Sequence, residues 1–167
     1  QTLFVKSNAA QDGGSGAGSG RTELWKAAFS SIDERPVFGL GLGAYPSQSN
    51  RLLYETPGVN LDLISNHPNG IEVHSAYIGT TVDLGFVGLG IFLSMLATLV
   101  VWLCRLAARA RAVGAIFAGR VAVALVLSMV GWIISSTFIE TETARPLWIV
   151  MGLTFAIGKI VHQHEQH

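Results

Sequence analysis

The chain has 167 residues, of which 50% are hydrophobic and 13% are charged, and its formal net charge at pH 7 is zero. A zero net charge does not suggest nucleic acid or an acidic protein as a partner. The single cysteine, Cys104, excludes an internal disulfide and a cysteine-based metal cluster. The hydrophobic residues are pooled in the second half of the chain, whereas a soluble domain would spread them in periodic stripes.

Residues 1–75 are polar and rich in glycine, serine, asparagine and proline, and we expect them to form one long loop outside the membrane. Within this loop, apolar residues recur at helical spacing and predict a short amphipathic helix over about residues 22–32. These residues are Leu24, Trp25, Ala28, Phe29 and Ile32. Such a helix is expected to lie in the membrane interface, with Trp25 at headgroup level. The GLGLG sequence at 39–43 is interpreted as a tight structural turn, followed by an irregular stretch up to residue 70.

Two stretches without a charged residue, 84–104 and 121–139, match the roughly 20 residues that a transmembrane helix needs. We therefore predict membrane helices over 76–104 and 121–139, and a third over 147–161. The fold class is an all-α polytopic membrane protein with two to three transmembrane helices. Because the chain begins without a methionine or a signal peptide, we expect it to be the C-terminal fragment of a larger protein.

The distribution of arginines between the loops predicts how the chain is oriented in the membrane. The loop predicted between the first two spans, 105–120, contains only arginines as charged residues. Arginine excess in a short loop marks the cytoplasmic side of a membrane. This places residues 1–75 and a second loop, 140–146, outside the cytoplasm, and the tail 162–167 inside.

His74 precedes the first predicted span at its outer end. If that helix runs back to about Ser75, helical geometry places Gly85 and Gly88 below His74 on the same face. A stripe of small residues would let another helix or a lipid chain approach closely. Histidine transfers protons near neutral pH, and ionisable residues at membrane depth are functional by default. The alternative is an interfacial histidine above a simple packing groove.

Two further charged residues need an explanation. Arg21 starts the predicted helix, where a cation opposes the helix dipole but free backbone N–H groups favour an anion. It is either part of an anion site or a solvated loop arginine. Asp83 is predicted on the side of the first span opposite His74. It should face protein or water, and an arginine elsewhere in the protein is a candidate partner.

The sequence His74-Ser75, followed by Gly85 and Gly88, resembles the H-[NSQ]-x9-G-x-x-[GTY] signature of bacterial O-antigen ligases. The stretch SGRTELWKAAFSSIDERPVFGLGLGAYP at 19–46 also resembles that superfamily, which includes O-antigen polymerases and protein O-oligosaccharyltransferases. In the superfamily an arginine-tryptophan helix and a P-x-x-G-x-G turn lie in a large periplasmic loop before the histidine helix. The resemblance covers most of residues 19–103.

The resemblance implies a glycosyltransferase of the bacterial inner membrane with its active loop on the periplasmic side. It would transfer a glycan from an undecaprenyl-pyrophosphate carrier to an acceptor hydroxyl, which in a ligase belongs to lipid A–core. His74 would be the general base, Arg21 would bind the diphosphate, and Ser75 and Tyr77 are candidate substrate-binding residues. The structural motif residues are Gly85, Gly88, Trp25 and Gly41. No metal, cofactor or nucleic acid is implied, and membrane lipids are expected partners.

Two alternatives remain open from the sequence. Within the enzyme class, a polymerase or a protein O-oligosaccharyltransferase would differ from a ligase in its acceptor. In another class, a membrane transporter or an assembly subunit would keep the helices and the glycine stripe. It would not need His74 and Arg21 in one outer loop.

Overall fold

The computed structural model describes residues 19–57, 64, 69–138 and 145–166. Within these residues every regular element that spans more than one residue is a helix, as predicted for the fold class. The helices are α1 (Ser19–Glu34), α2 (Tyr45–Glu55), α3 (Ala76–Ala112), α4 (Ile116–Ser135) and α5 (Arg145–Glu165). Of the described helices, α3 and α4 are long and apolar enough to cross a membrane. A third span over 147–161 stays a prediction.

A hairpin of α3 and α4 forms the first of two hydrophobic cores. Small side chains line its turn end, where Ala110 and Ala122 are completely buried and Gly119 lies against Ala110. Such residues let two helices approach closely within a bilayer. The helix α5 packs on this pair, and the ring of Phe155 meets Trp102 edge-on with centroids 4.8 Å apart.

The connection between α3 and α4 is much shorter than the basic loop predicted over residues 105–120. Alanine and arginine favour helix, so α3 continues past the apolar stretch through Ala112. Gly114 then adopts a left-handed conformation with φ 72°, and the amide of Ala115 donates to the carbonyl of Ala110 (2.9 Å). This pair of features is a Schellman helix end. Three residues, 113–115, therefore replace the predicted loop.

At its N-terminal end, α3 is hydrogen-bonded to the C-terminal end of α4. The backbone amide of Ala76 donates to the carbonyl of Ser136 (2.9 Å), and the hydroxyl of Tyr77 donates to the carbonyl of Ile133 (2.7 Å). The predicted loop 140–146 lies mostly outside the described residues.

The second core joins α1, α2 and the first turns of α3. The apolar face of α1 is turned toward protein, because Leu24, Ala27, Ala28 and Ile32 are buried against α2 and α3. Phe29, which the sequence places on this face, is 52% exposed. Three of the predicted face residues, Leu24, Ala28 and Ile32, thus pack on protein and not on lipid, and a position of α1 in the membrane interface stays a prediction.

The helix α2 occupies a stretch that the sequence predicts to be irregular. Tyr45, Ser49, Leu52 and Leu53 are its buried residues. Its N-cap residue, Ala44, provides no capping side chain. The cap comes instead from a carboxylate on α3, described below, so no local sequence signal marks the start of this helix.

The helix α3 is broken at Gly85, whose φ of 68° and ψ of −171° are not helical. At this break, two carbonyls and two amides of α3 form hydrogen bonds outside the helix. The turn at 36–41 supplies all four partners. The four bonds are Leu40 N–H to Val82 O (2.8 Å), Gly41 N–H to Asp83 O (2.8 Å), Phe86 N–H to Pro36 O (2.8 Å) and Val87 N–H to Val37 O (3.3 Å).

Glycines make this close approach possible. A Cβ on Gly85 would collide with the backbone of Val37 and Phe38, and a Cβ on Gly39 would collide with the carbonyl of Val82. Gly39 and Gly41 also have positive φ values of 67° and 117°. The predicted role of the GLGLG sequence as a structural turn is confirmed, and its packing partner is the break in α3.

Candidate functional site

His74 lies outside α3, directly before its N-cap. The helix begins at Ala76, with Ser75 as N-cap in an extended conformation and its hydroxyl accepting from the amide of Ile78 (3.5 Å). His74 itself has φ 55°, which makes it the one non-glycine residue with a positive φ in the described part of the chain. Such a conformation is uncommon for residues other than glycine, although asparagine, aspartate and histidine adopt it more often than the rest, and residues held in it concentrate at functional sites.

The left-handed conformation also changes the direction of the His74 side chain. The predicted alignment places His74 on a helix, above Gly85 and Gly88. This alignment requires continuous helical geometry from His74 to Gly88. That geometry fails at His74 and again at Gly85, so the predicted alignment is wrong. The glycine stripe is also occupied, since the turn at 36–41 covers Gly85 and the side chain of Leu84 lies against Gly88.

Trp25 fixes the backbone just before His74. Its indole Nε1–H donates to the carbonyl of Val73 at 3.0 Å, across 48 residues of sequence. The interaction commits this indole N–H to protein, not to lipid headgroups. It also ties α1 to the segment that carries the histidine, which the sequence did not reveal.

Arg21 lies four residues before Trp25 on α1, so the two side chains share one face of that helix. The Arg21 side chain is exposed. Its helix therefore carries a solvent-accessible guanidinium on the face whose next turn contacts the His74 segment. A guanidinium is always charged and matches the oxygens of a phosphate.

The position of Asp83 is explained by its contact with the start of α2. Its carboxylate accepts from the backbone amides of Gly43 (2.7 Å) and Tyr45 (3.1 Å), so it caps α2 from another helix. The sequence predicts that Asp83 faces protein or water, with an arginine as one candidate partner; in the structure it faces protein, and backbone N–H groups are its partners. A capping carboxylate also interacts favourably with the positive end of the helix dipole.

Tyr45 is a central residue of the site that sequence reasoning missed. It is 2% exposed, and its hydroxyl donates to the carbonyl of Leu24 (3.2 Å). Burial raises the pKa of the Tyr45 hydroxyl above its usual range, so it stays a neutral donor. Together with the Asp83 contact, Tyr45 joins α1, α2 and α3. The only sequence signal was its place directly after the glycine turn.

A cleft of about 470 Å³ opens beside the histidine segment. Its wall includes the residues on both sides of His74, and it combines polar and apolar side chains. The lining residues are Leu42, Gly43, Tyr45, Pro46, Glu72, Val73, Ser75, Gly79, Thr80, Asp83 and Leu84. Its lining contains the carboxylates of Glu72 and Asp83 and three hydroxyl groups, of which those of Tyr45 and Ser75 are bonded within the protein, while Leu42 and Leu84 form an apolar side.

The candidate substrate-binding residues differ in their availability. Ser75 lines the cleft but is 2% exposed, and its hydroxyl caps α3. The hydroxyl of Tyr77 already binds Ile133, and its ring packs near Phe92 at 6.2 Å. A substrate contact by either residue stays a prediction. In the described part of the chain, no three acidic, histidine or cysteine side chains are grouped as metal ligands.

Comparison with known proteins identifies the family of this chain. No curated protein and no solved structure matches the chain. The family model described as O-Antigen ligase matches residues 1–93, which is more than half of the chain and ends shortly after the break in α3. The chain belongs to the O-antigen ligase family.

Proposed function

We propose that this protein is a membrane glycosyltransferase that moves a glycan from an undecaprenyl-pyrophosphate carrier to an acceptor hydroxyl. Family membership supports the donor chemistry. The observation that carries the proposal is the position of His74. It is held in a left-handed conformation between the Trp25–Val73 hydrogen bond and the N-cap of α3, and its neighbours line a cleft with both polar and apolar side chains.

In the proposed reaction, His74 accepts the proton of the acceptor hydroxyl as that oxygen attacks the anomeric carbon of the glycan. The bond between this carbon and the diphosphate oxygen breaks, and the carrier leaves as its pyrophosphate. Negative charge grows on the leaving diphosphate as the bond breaks, so a positioned cation lowers the barrier. Arg21 has this role in the proposal.

The cleft is the proposed place for the acceptor. Carboxylates such as Glu72 accept hydrogen bonds from sugar hydroxyls, and Thr80 and Ser75 add hydroxyl groups to the same wall. The reaction would take place at the periplasmic face of the bacterial inner membrane. A polymerase or a protein O-oligosaccharyltransferase would share the donor chemistry and differ in the acceptor.

The experiment that tests the base is glycan transfer in membranes that carry the full-length protein with His74→Asn. Asparagine tolerates the left-handed backbone at this position, whereas alanine would add strain to the chemical loss. The asparagine amide cannot accept a proton at neutral pH, so we expect transfer to fall by at least about 100-fold. His164→Asn, in the exposed last turn of α5, is the matched control and should transfer at the wild-type rate.

Transfer by His74→Asn at a rate close to wild type, at equal protein levels, would exclude His74 as the base. A companion pair tests the cation. Arg21→Gln should weaken use of the pyrophosphate donor, whereas Arg51→Gln, an exposed arginine on α2 beside Glu55, should not. Absence of transfer by the wild-type protein itself to every offered acceptor would favour a transporter or an assembly subunit.

A further inference from the structure

The turn between α1 and α2 has an unusual side-chain composition. From Pro36 to Ala44 it contains no polar side chain at all. Its apolar side chains are also strongly exposed, with Leu42 at 83%, Phe38 at 76% and Val37 at 51%. A turn at a protein surface normally carries polar residues, and contiguous exposed apolar side chains mark an interaction site.

Hydrogen bonds fix where this turn lies along α3. Its carbonyls at Pro36 and Val37 accept from the amides of Phe86 and Val87. The side chains of Phe86 and Val87 are themselves exposed, at 58% and 46%. The apolar surface of the turn is therefore continuous with the outward surface of α3 just after its break.

The same position is where α3 enters hydrocarbon. The helix has 37 residues including its break at Gly85, far more than the roughly 20 needed to cross a hydrocarbon core. The uncharged part after the break runs from Phe86 to Cys104, just before Arg105. At about 1.5 Å per residue this part spans close to 30 Å, which places Phe86 at one boundary of the core and Arg105 at the other.

Part of the turn's backbone is paired with α3. Irregular backbone is costly in hydrocarbon where its N–H and C=O groups lack partners. Here the four bonds to the break in α3 provide partners for the carbonyls of Pro36 and Val37 and for the amides of Leu40 and Gly41. A further bond, from the amide of Gly43 to the carboxylate of Asp83, satisfies the end of the turn.

We propose that the 36–44 turn inserts into the lipid bilayer, with Val37, Phe38 and Leu42 in contact with acyl chains at the level of Phe86. The charged residues directly before it, Asp33, Glu34 and Arg35, are exposed and would lie in the headgroup layer. The second core is thereby anchored to the membrane through this turn, and not through the apolar face of α1.

Site-directed spin labelling of the full-length protein in liposomes tests this. In a Cys104→Ser background, a single label is placed by Phe38→Cys or Leu42→Cys, at side chains exposed enough that packing is unaffected. Ile91→Cys, 68% exposed on α3 beyond the break, is the lipid-facing control. Tyr54→Cys, 65% exposed on α2, is the water-facing control. Collision with oxygen reports lipid, and collision with a water-soluble nickel chelate reports water.

We expect the oxygen-to-nickel ratio at positions 38 and 42 to match that at Ile91 and to exceed that at Tyr54 several-fold. A ratio like that at Tyr54 would show that the turn lies in water and would overturn the proposal. Low collision rates with both reagents would show that protein covers the turn, which would overturn it as well. Leu42→Cys alone decides the question if Phe38→Cys does not accumulate.

Discussion

Two residues with unusual backbone conformations shape the candidate site. His74 has φ 55° directly before the N-cap of α3, and Gly85 has φ 68° and ψ −171° within that helix. The first is uncommon but accessible to a side chain, whereas the second lies in a region that is essentially limited to glycine. The sequence motif that contains both residues thus encodes backbone geometry as well as a histidine.

Replacement of Gly85 by alanine tests this at the residue scale. The Gly85→Ala substitution should cost about 1–3 kcal/mol of folding free energy for the backbone conformation, and more because its Cβ meets the backbone of Val37. Gly90→Ala, at an exposed helical position with open space around it, should be neutral or stabilise α3 by up to about 1 kcal/mol. Thermal unfolding in detergent measures both, and equal stability of the two variants would contradict the turn-and-break interaction.

At the scale of elements, α1 acts on the site through Trp25. Trp25→Phe keeps an aromatic ring but removes the hydrogen bond to Val73, at a cost of about 0.5–1.5 kcal/mol. Because a shift of about 1 Å at a catalytic group can cost 100-fold, we expect transfer to fall roughly tenfold or more. Trp148→Phe, on the exposed surface of α5, should leave the transfer rate unchanged. An unaltered transfer rate for Trp25→Phe would show that the hydrogen bond from α1 does not position His74.

The contact between α3 and α4 gives a second prediction at this scale. Tyr77→Phe removes the hydrogen bond to Ile133 and should lower stability by about 0.5–1.5 kcal/mol. Since that hydroxyl is engaged by protein, KM for donor and acceptor should not change. Tyr54→Phe, exposed on α2, should change neither quantity. A raised KM with normal stability for Tyr77→Phe would instead support a substrate contact.

For the whole molecule, the second core should lie at the opposite end of the α3 span from the α3–α4 turn. Arginines at the end of α3 predict that this turn is cytoplasmic and that α2 faces the periplasm. In a Cys104→Ser background, a membrane-impermeant thiol reagent added to spheroplasts should label Tyr54→Cys at once. It should label Ala112→Cys only after the membrane is permeabilised. The reverse pattern would invert the predicted topology.

Structural features that depend on neighbouring residues were predicted from the sequence, whereas features that depend on contacts between distant residues were not. The two long apolar helices and the glycine turn follow from composition and were predicted. The helix α2 was missed because its cap, Asp83, is 38 residues from Tyr45 in the chain. The buried face of α1 was assigned to lipid because hydrophobic spacing does not distinguish a membrane surface from a protein core.

The same distinction between local and distant contacts applies to the candidate site. The motif identified His74, and the helix start in the outer loop identified Arg21, but their mutual arrangement depends on the contact between Trp25 and Val73. The helical alignment of His74 with Gly85 failed because local periodicity contains no sign of a left-handed residue or of a broken helix.

The measurement that tests the central claim most directly is glycan transfer by full-length His74→Gly with and without added imidazole. Glycine adopts the left-handed conformation freely, so this variant removes the imidazole and keeps the backbone. We expect transfer to be lost without imidazole and partly restored as the concentration of free imidazole base rises. Transfer by His74→Gly at the wild-type rate in the absence of imidazole would contradict the assignment of His74 as the general base.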